Sequence, residues 1–357
     1  MRYPLIRPDP PKPEEFSKYL EESYRQRHFT NFGPAVTALQ ESLKKYLGCP
    51  YAPVTVCNAT LGLEIALMAA GIRDEGVILP SYTFAATAQA VERSGNSYPI
   101  LADNNLDSWH LDLSNLKVNV TNMLLVHPLG LTCDLKPYQD FCDQRGLKLI
   151  IDAAAALGSE YPQSMLGKFW DYGLCHVFSL HSTKVLGTGE GGFIVSKDPD
   201  FLDTCRRLSN FGLNPNAEVT MLGTNAKMSD FQAAVGSAAL VSFSEKLNRR
   251  RAIAALYNTL LNKSCIPQTL NPLLHTFPFY SFRYTKPLEP LLKVLREKEI
   301  GHRQYYRPLH THPFYRSIIP YNLPNAETLG KEVVCIPCYD ALQDEDVHYI
   351  AGCINSL

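Results

Sequence analysis

The sequence predicts an α/β fold, a mainly parallel sheet with helices on both faces, followed by a smaller α+β domain. Three observations predict it. Short continuous apolar runs recur, as in strands buried on both faces. Helical patterns alternate with those runs, giving the order β-α-β-α that parallel sheets require. From about Asn262 the texture changes to proline and tyrosine clusters such as "NPLLHTFPFYSFRYTKPLEP".

Taken in order, Val54 to Cys57 is the first strand and Leu61 to Ala70 the helix that follows. Val77 to Leu79 precedes a helix over Phe84 to Arg93. Met123 to Val126, a helix over Leu135 to Arg145, and Leu149 to Ile151 repeat the unit, and Val177 to Leu180 and Phe193 to Val195 are further strands. Phe231, Ala234, Val235, Ala238 and Ala239 mark one face of a helix continuing towards Leu260, with Ser229 and Asp230 placed to cap its start. A helix near Leu291 to Lys298 belongs to the second domain. These divisions place the large domain, with its N-terminal segment, over residues 1–245 and the small C-terminal domain over 246–357.

Lys and Arg number 34 against 35 Asp and Glu, a net charge of -1, so composition carries no footprint for nucleic acid or an anionic membrane. A small-molecule partner fits better. The N-terminus "MRYPLIRPDPPKPEEF" has prolines where a signal peptide needs an apolar core, and no run approaches a membrane span. A cytoplasmic protein is expected, its ten cysteines reduced and mostly packed in apolar segments. Cys335-Ile336-Pro337-Cys338 has the spacing of a redox or zinc pair but lacks a second pair, and is read as packing.

In open parallel sheets ligands collect at the carboxyl ends of strands. The residues after each strand are Asn58-Ala59-Thr60, Pro80-Ser81-Tyr82-Thr83-Phe84, His127-Pro128, Asp152, and the loop "SLHSTKVLGTGEGG" around Lys184. Asp152 emerges from a buried strand, where a carboxylate needs a cation or donors; it caps a helix, pairs with an arginine, or pairs with a cofactor's protonated ring nitrogen. Alone, Lys184 is a solvated charge, but in a dry pocket its amine becomes neutral and can form a Schiff base. Thr60 opens a helix whose exposed N–H groups suit a phosphate, and Ser179 adds a hydroxyl. Phe84 offers a flat face or packs in the core. Gly187, Gly189, Gly191 and Gly192 permit a tight turn beside the lysine. Jointly these groups ask for an aromatic, phosphorylated aldehyde.

The segments Asn58-Ala59-Thr60, "PSYTFAATAQAV", "VHPLGLTCDL", "IIDAAAALGS", "SLHSTKVLGTGEGG" and "GTNAKMSDFQAA", with "RPLHTHPFY" and "VVCIPCYDALQDEDV" further on, occur in the order and spacing of one family. Over nearly the whole chain the sequence resembles the nucleotide-sugar aminotransferases of the DegT/DnrJ/EryC1/StrS family. The resemblance implies the fold-type I aminotransferase architecture, pyridoxal 5′-phosphate held by the large domain, and a homodimer with active sites shared across the interface. It makes Lys184 the Schiff-base lysine and Asp152 the partner of the pyridine nitrogen. Phe84 becomes the aromatic stacked on the ring, and Thr60, the Leu61 amide and Ser179 the phosphate ligands. Asn225 becomes the residue reaching the neighbouring subunit's phosphate, and Lys227 a base near the donor's carboxylate.

His310 matches a histidine close to the sugar end of the site. His310 and His312 would otherwise suggest a metal pair, but no third ligand stands out, and no metal is expected. Where the family commonly has Gln or His three residues after the aspartate, this chain has Ala155, so contact with the cofactor's phenolic oxygen is absent or falls to water or a neighbour such as His181. The "S-L-H-S-T-K" form resembles the branch that aminates C4 of nucleotide-linked 4-keto-6-deoxy sugars, with glutamate as donor, in amino-sugar biosynthesis for O-antigen or a related glycan. The alternatives are amination at C3, a non-catalytic regulator, a dehydratase of the same fold with histidine for the lysine, and an enzyme acting on amino acids alone.

Overall fold

The computed structural model describes residues 1–114, 116, 122–316 and 322–357. A seven-stranded sheet forms the centre, built from β1 (Val54–Val56), β2 (Gly76–Pro80), β3 (Tyr98–Ala102), β4 (Asn122–Val126), β5 (Lys148–Asp152), β6 (Cys175–Ser179) and β7 (Gly192–Val195), in the order β1-β7-β6-β5-β4-β2-β3. The stretch β3-β2-β4-β5-β6 is parallel, and β7 runs antiparallel to both β6 and β1. A second sheet, of β8 (Cys265–Pro267), β9 (Tyr280–Tyr284) and β10 (Val333–Ile336), is antiparallel with β9 in the middle.

The uninterrupted apolar runs follow from the two covered faces. Along the central strands successive residues alternate between two cores: Leu124, Ile150, Val177 and Ile194 face one, while Met123, Leu125, Leu149, Ile151, Phe178 and Phe193 face the other. The first face is covered by the helices Ala59–Ala69, Ala85–Arg93 and Pro199–Leu208, the second by Pro34–Leu47, Lys136–Asp143 and the start of Asp230–Leu260. Each fully buried Leu, Ile or Val side chain contributes about 1.5–3 kcal/mol. Strand β3 escapes the sequence pattern because it is an edge strand: Tyr98, Pro99 and Ile100 are exposed or half-buried, and only Leu101 and Ala102 are covered.

The helix Asp230–Leu260 passes through residue 245 without a break. Its early residues Ala233, Ala234, Phe243 and Leu247 pack under the large sheet, and Ile253, Ala254 and Tyr257 pack in the core of the small one. That small core also takes Tyr3 from the N-terminus, while Leu309, Leu329, Val333 and Cys335 pack into the large sheet's core. Among the described residues no helix is long and apolar enough to cross a membrane.

Ser229 caps the long helix, accepting from the Gln232 amide at 3.3 Å while the Gln232 side chain accepts from the Ser229 amide at 3.0 Å. Asp230 does not share that task. Its fully buried carboxylate accepts from the amides of Ala35 (3.1 Å) and Val36 (3.3 Å) and from the Ser23 hydroxyl, so it caps the helix Pro34–Leu47 instead. Gly33 permits this approach, since a Cβ there would lie 2.5 Å from Asp230 Oδ2. Cys335 and Cys338 are both buried free thiols, and burial pushes each up to about 12.

Candidate active site

The polar edge of the central sheet is built by where each parallel strand ends. Asp152 is the last residue of β5, only 6% exposed, and its neighbours on the same edge are Val126 of β4 and Val177 of β6. Its carboxylate accepts from Thr87 Oγ1 at 2.8 Å and from the Ala154 amide at 3.1 Å. Burial raises its pKa above the ordinary carboxylate range, and those two bonds and the charge of Lys184 oppose the rise. Without a cationic partner the site thus bears a cost, which a protonated ring nitrogen would relieve.

Lys184 lies in the loop between β6 and β7. Backbone bonds close that loop tightly: Leu180 N to Gly191 O (2.8 Å), Ser182 N to Gly189 O (2.9 Å) and Thr188 N to Leu180 O (2.7 Å). Glycine is required at 189, where φ is +90°, and at 187, where a Cβ would sit 2.9 Å from the Ser182 Cα. Folded this way, the loop holds a half-buried Lys184 whose Nζ makes no hydrogen bond among the described residues. Burial lowers its pKa from the ordinary lysine range and Asp152 partly restores it. A half-buried lysine with a lowered pKa and without a hydrogen-bond acceptor among the described residues is suited to covalent bonding to a carbonyl carbon.

The phosphate end is assembled across β7. Ser179 pairs with Gly192, and a Cβ on Gly192 would lie 2.9 Å from the Ala59 amide, so the bare glycine lets β7 approach the start of the helix Ala59–Ala69. Ser179 Oγ accepts from the His181 amide at 3.2 Å and keeps its proton to donate. Thr60 is half-buried at the first turn. The Leu61 amide is bonded to Asn58 Oδ1 at 2.9 Å, so it reaches a phosphate only by sharing that bond or displacing Asn58. The helix start, the Ser179 hydroxyl and the close glycine form a cradle that fits a phosphate.

Phe84 stands at the N-cap of Ala85–Arg93 with its side chain 60% exposed, so it is a surface face and not a core residue. Tyr306 lies 6.2 Å from it, ring centre to ring centre, inside the electrostatic reach of Asp152. Thr87 and Tyr306 were not singled out from the sequence. Thr87 sits three residues beyond Phe84 on one helix face, a spacing that could have revealed it; Tyr306 comes from the far C-terminal chain and no local pattern marks it.

The segment Asn225–Lys227 runs beside the end of β1: Cys57 N donates to Ala226 O at 2.7 Å. Lys227 Nζ donates to the exposed Asn225 Oδ1 at 2.7 Å and lies 4.6 Å over the Phe211 ring, near the phosphate cradle. Burial lowers the Lys227 pKa. His181 is occupied locally, with Nδ1 2.9 Å from Thr183 Oγ1 and Nε2 3.6 Å from Glu190 Oε1. His310 is buried against the end of β2, its Nδ1 2.7 Å from Ser81 Oγ and its Nε2 3.6 Å from Glu327 Oε1. His312 turns elsewhere, to Arg307 O at 3.2 Å. Ala155 contributes its carbonyl to Thr276 Oγ1 at 2.7 Å.

A buried carboxylate, a half-buried lysine, an exposed aromatic face and an anion cradle thus share one edge, and they fit the phosphorylated pyridine aldehyde expected from the sequence. Comparison with known proteins agrees. The profile of the DegT/DnrJ/EryC1/StrS aminotransferase family matches residues 11–355. The dTDP-4-amino-4,6-dideoxy-D-glucose transaminase of Escherichia coli is 30% identical over 365 residues, covering 96% of this chain and 95% of that one. The GDP-perosamine synthase of Escherichia coli O157:H7 is 29% identical over 348 residues, covering 95% and 94%. The crystal structure of DesI in the presence of its TDP-sugar product superposes with a TM-score of 0.88 at 29% identity, covering 98% of this chain and 91% of DesI.

Proposed function

The chain belongs to the DegT/DnrJ/EryC1/StrS aminotransferase family and has the fold-type I architecture, and from that premise we propose that it transfers the amino group of glutamate to C4 of a nucleotide-linked 4-keto-6-deoxyhexose. The observation that carries the chemistry is the placement on one sheet edge of buried Asp152, held by Thr87 and the Ala154 amide, and of half-buried Lys184 in the loop between β6 and β7. The choice of C4 is supported by the 4-amino sugar in the name of the 30%-identical relative and by the "S-L-H-S-T-K" sequence at 179–184.

Pyridoxal 5′-phosphate, the cofactor, supplies an electrophilic aldehyde and a protonated ring that accepts electrons. Asp152 holds the proton on the ring nitrogen, and Thr87 and the Ala154 amide hold Asp152. Lys184, once its amine is free, takes the proton from Cα of glutamate; in the return direction it delivers a proton to C4 of the sugar. Thr60, Leu61 and Ser179 anchor the phosphate, Phe84 covers the ring, and Lys227 faces the donor's carboxylate. Asn225 completes the neighbouring subunit's site in a homodimer, whose interface takes in the exposed apolar residues Phe211, Val219 and Leu222 of the same loop. The enzyme serves cytoplasmic amino-sugar synthesis.

The test is spectroscopic. Holoenzyme should lose its visible absorbance on adding glutamate and regain it with a nucleotide-linked 4-keto sugar, while a 3-keto sugar restores nothing. Recovery with the 3-keto sugar alone moves the reaction to C3. Failure to bleach with glutamate, or turnover unchanged in Lys184→Ala, overturns the proposal.

A further inference from the structure

A second cluster of chemistry-bearing groups lies beside the end of β4 and takes no part in the reaction above. His110 comes from the segment after β3, His127 directly follows β4, and Cys133 belongs to the loop leading to the helix Lys136–Asp143. One ring nitrogen of each histidine and the Cys133 sulfur lie within 4.8 Å of one another. The histidine side chains are 1% and 2% exposed.

Both rings are held from outside the cluster through Nε2, and the carbonyl partner fixes the tautomer of His110. His110 Nε2 donates to Leu131 O at 2.9 Å, and His127 Nε2 is 3.0 Å from Tyr161 Oη. Both Nδ1 atoms are buried and have no partner among the described residues. With its proton on Nε2, His110 Nδ1 carries a lone pair facing nothing, and His127 Nδ1, whichever tautomer its ring takes opposite the Tyr161 hydroxyl, is a buried polar atom without a partner among the described residues. Two such orphans beside a thiol in one cluster need a common explanation.

We propose that His110 Nδ1, His127 Nδ1 and Cys133 Sγ form a binding site for a divalent ion of the zinc class, with water in the fourth position. Two imidazoles and a thiolate form a borderline-soft ligand set that suits zinc and excludes magnesium and calcium. Zn–N near 2.0–2.1 Å and Zn–S near 2.3 Å put tetrahedral ligand atoms about 3.3–3.6 Å apart, so the side chains close in modestly on the ion. Cys133 is the half-buried member. On binding, its thiol proton leaves to solvent and the thiolate pair forms the bond, with no oxidation. The outer contacts are of the kind that orient metal-bound histidines, a backbone carbonyl on one ring and a phenol on the other. Bound there, the ion ties three segments beside the end of β4, one of which donates His127 N–H to Asp152 O at 3.0 Å.

The test uses metal-free holoenzyme titrated with Co²⁺, followed by difference absorbance against the Zn²⁺-loaded form and by metal analysis after gel filtration. One retained equivalent with tetrahedral visible bands and a thiolate charge-transfer band is expected, displaced one for one by Zn²⁺, together with a raised unfolding temperature. Cys133→Ser should abolish the charge-transfer band, and His110→Gln should abolish retention. If no equivalent is retained, if the bands report six oxygen or nitrogen ligands, or if the charge-transfer band survives Cys133→Ser, the site does not exist.

Discussion

The hydrogen bond from Thr87 to Asp152 gives a sharp test of how the site works. Thr87→Val keeps shape and β-branching in a buried helical position but removes the donor that reaches Asp152 Oδ2 at 2.8 Å. A hydrogen bond to a charged group is worth about 1.5–3 kcal/mol. If it supports the ionised carboxylate through the transition state, its loss slows the glutamate half-reaction about 10- to 150-fold. The same energy has a pH signature. Burial raises the Asp152 pKa and the Thr87 bond lowers it, so removing the bond raises it further. Activity needs the ionised form, and the acid limb of the rate profile moves to higher pH. Single-turnover decay of the cofactor absorbance, recorded from pH 5 to 9, measures both, and Thr87→Ser should restore rate and profile. An unchanged rate with an unmoved acid limb would refute the view that Thr87 positions and charges Asp152; slowing without a moved limb would confine its role to geometry.

Three further outcomes follow from the same coordinates. Asp152→Asn should make the apo protein more stable at neutral pH while nearly abolishing transamination: the burial penalty on the charge is present above the raised folded pKa and vanishes as pH falls towards 4, so the gain in urea unfolding should shrink on acidification. Gly192→Ala would push a Cβ to 2.8 Å from Phe178 O and 2.9 Å from Ala59 N, an overpacking of about 1–3 kcal/mol; cofactor affinity, measured by equilibrium dialysis, should fall at least about tenfold. Asp230→Ala removes the cap of Pro34–Leu47 and orphans Ser23, and denaturant unfolding should show a loss of about 2–4 kcal/mol without a changed cofactor spectrum.

Most of the central sheet was legible because burial on both faces demands unbroken apolar runs, and six of its seven strands fall where those runs fall. The seventh, β3, sits at an edge and is covered only over Leu101 and Ala102, so its composition carries no such mark. Ser229 was readable as a cap because its partner Gln232 is three residues away, whereas Asp230 serves amides nearly 200 positions earlier, which no local pattern encodes. The site divides the same way. Asp152, Lys184 and Phe84 stand out because strand ends and a glycine-rich turn advertise them; Tyr306 and the occupied states of His181, His310 and the Leu61 amide do not.

The sequence by itself determined the alternation of strands and helices, the polar strand ends, and the positions of Lys184, Asp152 and the helix start after β1, because each depends on neighbours within a few residues. Only the tertiary structure decided which donors hold Asp152, how far burial moves its proton affinity and that of Lys184, and that two histidines and a cysteine from separate segments meet beside the end of β4. Those properties depend on distances and solvent exclusion between residues far apart in the chain, and they exist only once the two cores have closed around the sheet.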